Sequence, residues 1–93
     1  WAGEQGRRGE PIQNPKSKIQ NLAVLAQVLD IQGRLQLAQS KAEDALNTWR
    51  GAADIYTQLG NDNTIIRNRI NQAQALQALG LYRQAQKTLD ESI

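Results

Sequence analysis

The residues of this chain whose types could do chemistry are few: the acidic pairs Glu43-Asp44 and Asp90-Glu91, Asp62 beside Thr64, and five arginines at 34, 50, 67, 69 and 83. A carboxylate pair works as acid and base only if both groups face one substrate from environments that separate their pKa values. Neighbours in a helix instead point about 100° apart. Glu43 and Asp44 fall where a helix begins, and a carboxylate there meets the positive end of the helix dipole. Asp90-Glu91 reads the same way, and Asp62 with Thr64 reads as helix-start chemistry. Arg67 and Arg69, two residues apart, face different sides of their helix. No basic stripe interleaved with aromatics accompanies them, so an RNA-binding surface is not indicated. Gly3-Glu-Gln-Gly6 has no strand before it and is no phosphate loop. Trp49 and Tyr56, seven residues apart on one helix face, read as core and not as a stacking cage for a ligand. The thirteen glutamines are good helix formers that can also offer hydrogen bonds to a peptide backbone.

The 93 residues include no cysteine and no histidine. That removes disulfides, thiolate chemistry, the commonest general base and the commonest metal ligand. No catalytic residue, metal site or cofactor is expected, and no small-molecule substrate. The net charge is +2; from Ser17 onward eight basic residues face seven acidic ones. The pI of 9.3 reflects a small Lys and Arg excess with no histidine to buffer it, which is weak support for nucleic-acid binding. No long apolar run spans a membrane, and Trp1 to Lys16 lacks the apolar core of a signal peptide. A cytoplasmic protein is the resulting expectation. The start at Trp1 and the end at Ile93 inside an apparent helix suggest a piece of something longer.

Three of the seven glycines and both prolines fall within residues 1–15, which read as a disordered or linker tail. Residues 16–93 read as one all-α domain of helix-favouring Ala, Leu, Gln and Arg. Four antiparallel helices are expected, at about 16–39, 41–59, 63–79 and 81–93. Gly60 suits a left-handed helix end, with Asn61 or Asp62 capping the next helix. In the first helix Leu22, Ala26, Leu29, Gly33 and Leu37 form one apolar stripe, and Val24, Val28, Ile31 and Leu35 form another. Two stripes predict a helix covered on more than one face.

Sliding the chain on itself by 40 residues pairs Gly33 with Ala73, Ser40 with Gly80, Ala45 with Ala85 and Trp49 with Leu89. A slide of 47 also matches, pairing Gly33 with Gly80, but only the slide of 40 superposes the helix boundaries. It makes Gly33 a small residue inside a helix, where a partner helix comes close. It makes Gly80 a tight turn, where a side chain would crowd the crossing and where Leu81 and Tyr82 close the hairpin. The pattern resembles the tetratricopeptide repeat (TPR) family. Gly33, Ser40, Ala45, Trp49 and Ala52 carry the likeness in a first unit at about 20–60. Ala73, Gly80, Tyr82, Ala85 and Leu89 carry it in a second at about 61–93. The period exceeds the family's usual 34, and Gln32 and Gln36 stand where apolar residues are common. The wording from Ile70 to Ala85 further resembles bacterial arrays that precede caspase-like CHAT domains; no catalytic residue of those carries over.

The resemblance implies two helical hairpins of a right-handed solenoid and a non-catalytic scaffold within a larger signalling protein. A concave groove would present Gln27, Asp30, Arg34 and Leu37, with Arg67, Ile70, Gln74 and Gln77 matching them in the second unit. The implied partner is a protein or peptide, with no membrane. A second copy could also associate through the apolar ends, around Ile19, Leu22 and Val24 and around Leu89 and Ile93. The rival reading is a nucleic-acid-binding helical domain.

Overall fold

The structure, a computed structural model, describes residues 15–91. The tail assigned to residues 1–15 therefore lies, apart from Pro15, outside the described residues, as do Ser92 and Ile93. The described chain is all-α, with four helices: α1 (Pro15–Ala38), α2 (Ala42–Leu59), α3 (Asp62–Ala78) and α4 (Tyr82–Asp90). Proline opens α1 because its fixed φ suits the first turn, where no helical N–H bond is missed. Glu43 and Asp44 occupy the first turn of α2. Asn61 caps α3, its side chain accepting a bond from the Thr64 N–H at 3.2 Å. Asp62 is thus the first helical residue, not the cap.

All three turns solve the same problem in one way. The last carbonyls of a helix lack partners, and a residue with positive φ lets the following N–H groups fold back onto them. Ser40 donates to Leu37 O and Lys41 to Gln36 O; forty residues on, Gly80 donates to Gln77 O and Leu81 to Leu76 O. The middle turn repeats the pattern, Gly60 donating to Thr57 O and Asn61 to Tyr56 O. Positive φ values mark the three positions: Ser40 at 65°, Gly60 at 70° and Gly80 at 78°. A Cβ on Gly80 would meet nothing within 4 Å. The expected crowding at this turn is therefore corrected: backbone φ, not space, selects glycine there.

Gly33 is the opposite case. It lies inside α1, and a Cβ there would collide with Nε1 and Cε2 of the Trp49 indole. Trp49 is fully buried. Burying an aromatic of that size, about 150–250 Å² at about 25 cal/mol/Å², is worth roughly 4–6 kcal/mol. Around it one core cluster joins Ala45 and Leu46 of α2, Ala73, Ala75 and Leu76 of α3, and Ala85 of α4, with Leu37 of α1 against it. A second cluster sets Ala26 and Leu29 against Ala52, Ile55 and Tyr56, with Ile65 of α3. Alanine at so many contacts lets helix backbones approach closely. Packing runs between consecutive helices: α1 on α2, α2 on α3, α3 on α4. α1 and α2 run antiparallel: Gln36 reaches Thr48 while Asp30 reaches Tyr56 farther along α2.

Two further expectations need correction. The second stripe of α1 is not covered: Val24, Val28, Ile31 and Leu35 are all exposed. Tyr82 is 68% exposed and Leu81 is exposed too, so neither closes the last turn; that work is done by the backbone bonds above. Leu89, the counterpart of Trp49, is 37% exposed, because no further helix among the described residues lies on α4. Gln36 is half-buried and accepts the Thr48 hydroxyl at 2.7 Å, which satisfies one polar group at an otherwise apolar position. Gln32 simply faces solvent.

These turns and the Gly33 contact yield three expected stability changes. Gly80→Val forces a β-branched residue to positive φ and should cost about 2 kcal/mol. Ser40→Gly relieves the same strain and should gain about 0.5–1 kcal/mol. Gly33→Ala drives a methyl into a rigid buried indole, with a loss of about 1–3 kcal/mol. Urea unfolding followed by circular dichroism reads all three, and an unchanged midpoint for Gly33→Ala would contradict the close approach.

Candidate functional site

A concavity of about 530 Å³ lies between α1 and α3, over the end of α2. Helical spacing builds its walls. Ala23, Gln27, Asp30 and Arg34 follow one another up α1 at steps of three and four; Thr64, Asn68 and Asn71 do the same on α3, with Arg67 beside Asn68. Tyr56 and Leu59 of α2, with Asn61 of the turn, complete it, and Ile70 adds an apolar patch.

Five groove candidates line this concavity: Gln27, Asp30, Arg34, Arg67 and Ile70. Two pairs among them, Gln27 with Arg67 and Asp30 with Ile70, stand forty residues apart. Leu37 does not line it, because it packs half-buried against the core around Trp49. Gln74 and Gln77 are exposed on α3 away from the concavity. Arg69 turns away as its spacing from Arg67 requires, donating to the Glu91 carbonyl at 2.7 Å.

Asp30 is the hub of the floor. Its Oδ2 accepts the Tyr56 hydroxyl at 2.6 Å, and its Oδ1 receives a long bond from Asn68 Nδ2 at 3.4 Å. Its backbone carbonyl accepts Trp49 Nε1–H at 3.2 Å. Asn68, buried in α3, also donates to the Trp49 carbonyl at 2.9 Å and accepts from Gln72 Nε2 at 2.7 Å. Buried polar groups are tolerated when bonded in this way. Burial, then the hydrogen bond to Asp30 and the charge of Asp30, push the Tyr56 hydroxyl up to about 12, with Arg67 opposing. Tyr56 therefore stays a neutral donor far above neutral pH.

Sequence spacing missed Asn68 and Gln72, which lie on the same α3 face as Ile65 and Leu76. Two amides four apart in an apolar periodicity were the available signal. Asn61, Thr64 and Asn71 were missed as lining residues because helix-start and surface roles explained them. Arg34 and Arg67 make no ion pair among the described residues. No group of acidic, His or Cys side chains suited to a metal ion occurs among them either, and no helix there is long and apolar enough to cross a membrane. Comparison with protein-family models, curated proteins and solved structures finds no match.

The raised hydroxyl of Tyr56 carries a sign that can be checked. The folded state holds this proton more tightly than the unfolded chain, so the associated stability is intact below pH 10. It is lost as pH rises from about 10 to about 12, by roughly 2–3 kcal/mol. Urea midpoints measured between pH 8 and 12 should show this fall in the native protein, with a shallower fall in Tyr56→Phe. In Asp30→Asn, which removes the charge and weakens the bond, the fall should begin at the same pH but end sooner and be smaller.

Proposed function

We propose that this chain is a non-catalytic interaction module of TPR type, two helical hairpins of a solenoid within a larger signalling protein. The concavity over Asp30 receives an extended segment of a protein partner. The observation that carries the reading is the concavity itself: two helical rows of amide and charged side chains face each other over a floor already fixed by hydrogen bonds. The same turn bonding at Ser40, Gly60 and Gly80 joins successive helices by short turns, as a row of helical hairpins requires. Gln27, Asn61 and Asn71 offer both donors and acceptors, as a peptide backbone requires. Arg34 and Arg67 offer guanidinium groups to an acidic side chain. Because the floor is preorganised, little ordering opposes binding.

Selection from a random displayed peptide library tests this. Acid-containing extended peptides should be enriched, and Arg34→Ala with Arg67→Ala should weaken them about tenfold or more without changing the helical circular dichroism. The rival nucleic-acid reading is tested by titrating mixed fluorescent oligonucleotides at low salt. Tight, steeply salt-dependent oligonucleotide binding with no peptide enrichment would overturn the proposal.

A further inference from the structure

The two arginines of the concavity stand closer together than their sequence numbers suggest. Asp30 of α1 and Asn68 of α3 meet at 3.4 Å, so the two walls are level at that contact. Arg34 lies one turn beyond Asp30, about 6 Å along the helix axis. Arg67 adjoins Asn68, and Asn71 follows Arg67 at a four-residue step, on the same face of α3. The charge of Arg67 is felt at the Tyr56 hydroxyl, as expected of a guanidinium that lies over the floor. Arg34, Arg67 and Asn71 therefore surround one spot just past the Asp30–Asn68 contact, with donors arriving from both walls.

No acid inside the concavity satisfies these donors. Its one carboxylate, Asp30, holds the Tyr56 hydroxyl on one oxygen and faces Asn68 with the other. Both arginines are exposed, and neither has an ion pair among the described residues. With Asp30 fixed in the floor, the lining carries two positive charges against one negative.

A carboxylate would use only part of this arrangement. Its two oxygens lie in one plane and a single guanidinium fork occupies both, which leaves the arginine of the opposite wall idle. A phosphate monoester has three terminal oxygens and a charge of about −1.5 to −2 at pH 7. Those oxygens spread in three directions, so each can meet a different donor: Arg34 on one wall, Arg67 and Asn71 on the other. A phosphodiester keeps fewer free oxygens and less charge, so a nucleic-acid backbone fits the three donors less well.

Resting on the reading of the concavity as the seat of a partner segment, we propose that this segment carries a phosphorylated side chain, whose phosphoryl group sits between Arg34, Arg67 and Asn71. Phosphorylation of the partner then turns the association on. The same segment with an acidic residue in that place binds more weakly, and with a neutral one more weakly still.

Nuclear magnetic resonance titration of the full chain with methyl phosphate and with acetate at pH 7.5 tests this. The signals to follow are the Nε–H groups of Arg34 and Arg67 and the side-chain amide of Asn71. Methyl phosphate should shift all three together and bind about tenfold or more tighter than acetate. Arg34→Ala and Arg67→Ala should each weaken methyl phosphate about fivefold or more, whereas Arg83→Ala, exposed on α4, should leave it unchanged. Equal binding of the two ions, or a loss confined to one of the two arginine variants, would overturn the phosphoryl proposal and leave an acidic partner segment in place. Absence of any shift with either ion would overturn both the proposal and the role given to the arginines in that reading. A mixed oligonucleotide that displaces methyl phosphate and binds more tightly would assign the site to a phosphodiester, and the proposal would fall.

Discussion

The contact on which the rest of the structure depends is the indole of Trp49 lying on the backbone of α1 at Gly33. Only a residue with no Cβ permits it, and the spacing between α1 and α2 follows from that approach. The same tryptophan, on α2, holds α1 and α3 to its own helix through three different groups. Its ring packs on α1, its Nε1–H reaches the Asp30 carbonyl, and its own carbonyl receives Asn68 of α3. Apolar burial supplies the energy, while the two polar contacts fix rotation and register. A leucine would keep the burial and the backbone carbonyl that Asn68 reaches, but it has no N–H for the Asp30 carbonyl.

Polar groups inside a small domain are costly unless paired, and here their pairing forms the base of the concavity. Asp30 holds Tyr56 and Asn68, and Asn68 holds Gln72. With these groups engaged, the side chains left to a partner are those higher on the walls, chiefly Gln27, Arg34, Arg67 and Asn71. Structure and proposed recognition are joined in this division: one set of polar groups makes the scaffold stiff, and the other remains to be satisfied.

Much of this was legible in the residue order. Helix boundaries followed from glycine, proline and capping residues, and the forty-residue echo located Gly33 inside a helix and Ser40 and Gly80 in turns. Local rules govern those features, so local reading finds them. The reason for Gly80 was misread, because identical spacing fits a steric demand and a φ demand equally well. Stripes on α1 were visible, but periodicity reveals that a face is apolar and not whether anything lies on it. Tyr82 was misplaced for the same reason. The Asp30–Tyr56–Asn68 bonds were invisible because they join residues 26 and 38 positions apart, and no single-helix pattern records which polar groups will meet.

That the main packing is between consecutive helices has a consequence for how the molecule loosens. In such a chain, stability is close to a sum of helix terms and neighbour terms, so the ends open before the middle. α4 touches mainly α3, with Ala85 as its buried side chain, and can detach while the hydrogen bonds of Asp30 and Asn68 stay made. Amide exchange should then be graded along the sequence, fastest in α4 and slowest where α2 meets α3. A ligand held between α1 and α3 would slow exchange in the central helices and leave the α4 rate as an internal clock against which its binding could be timed.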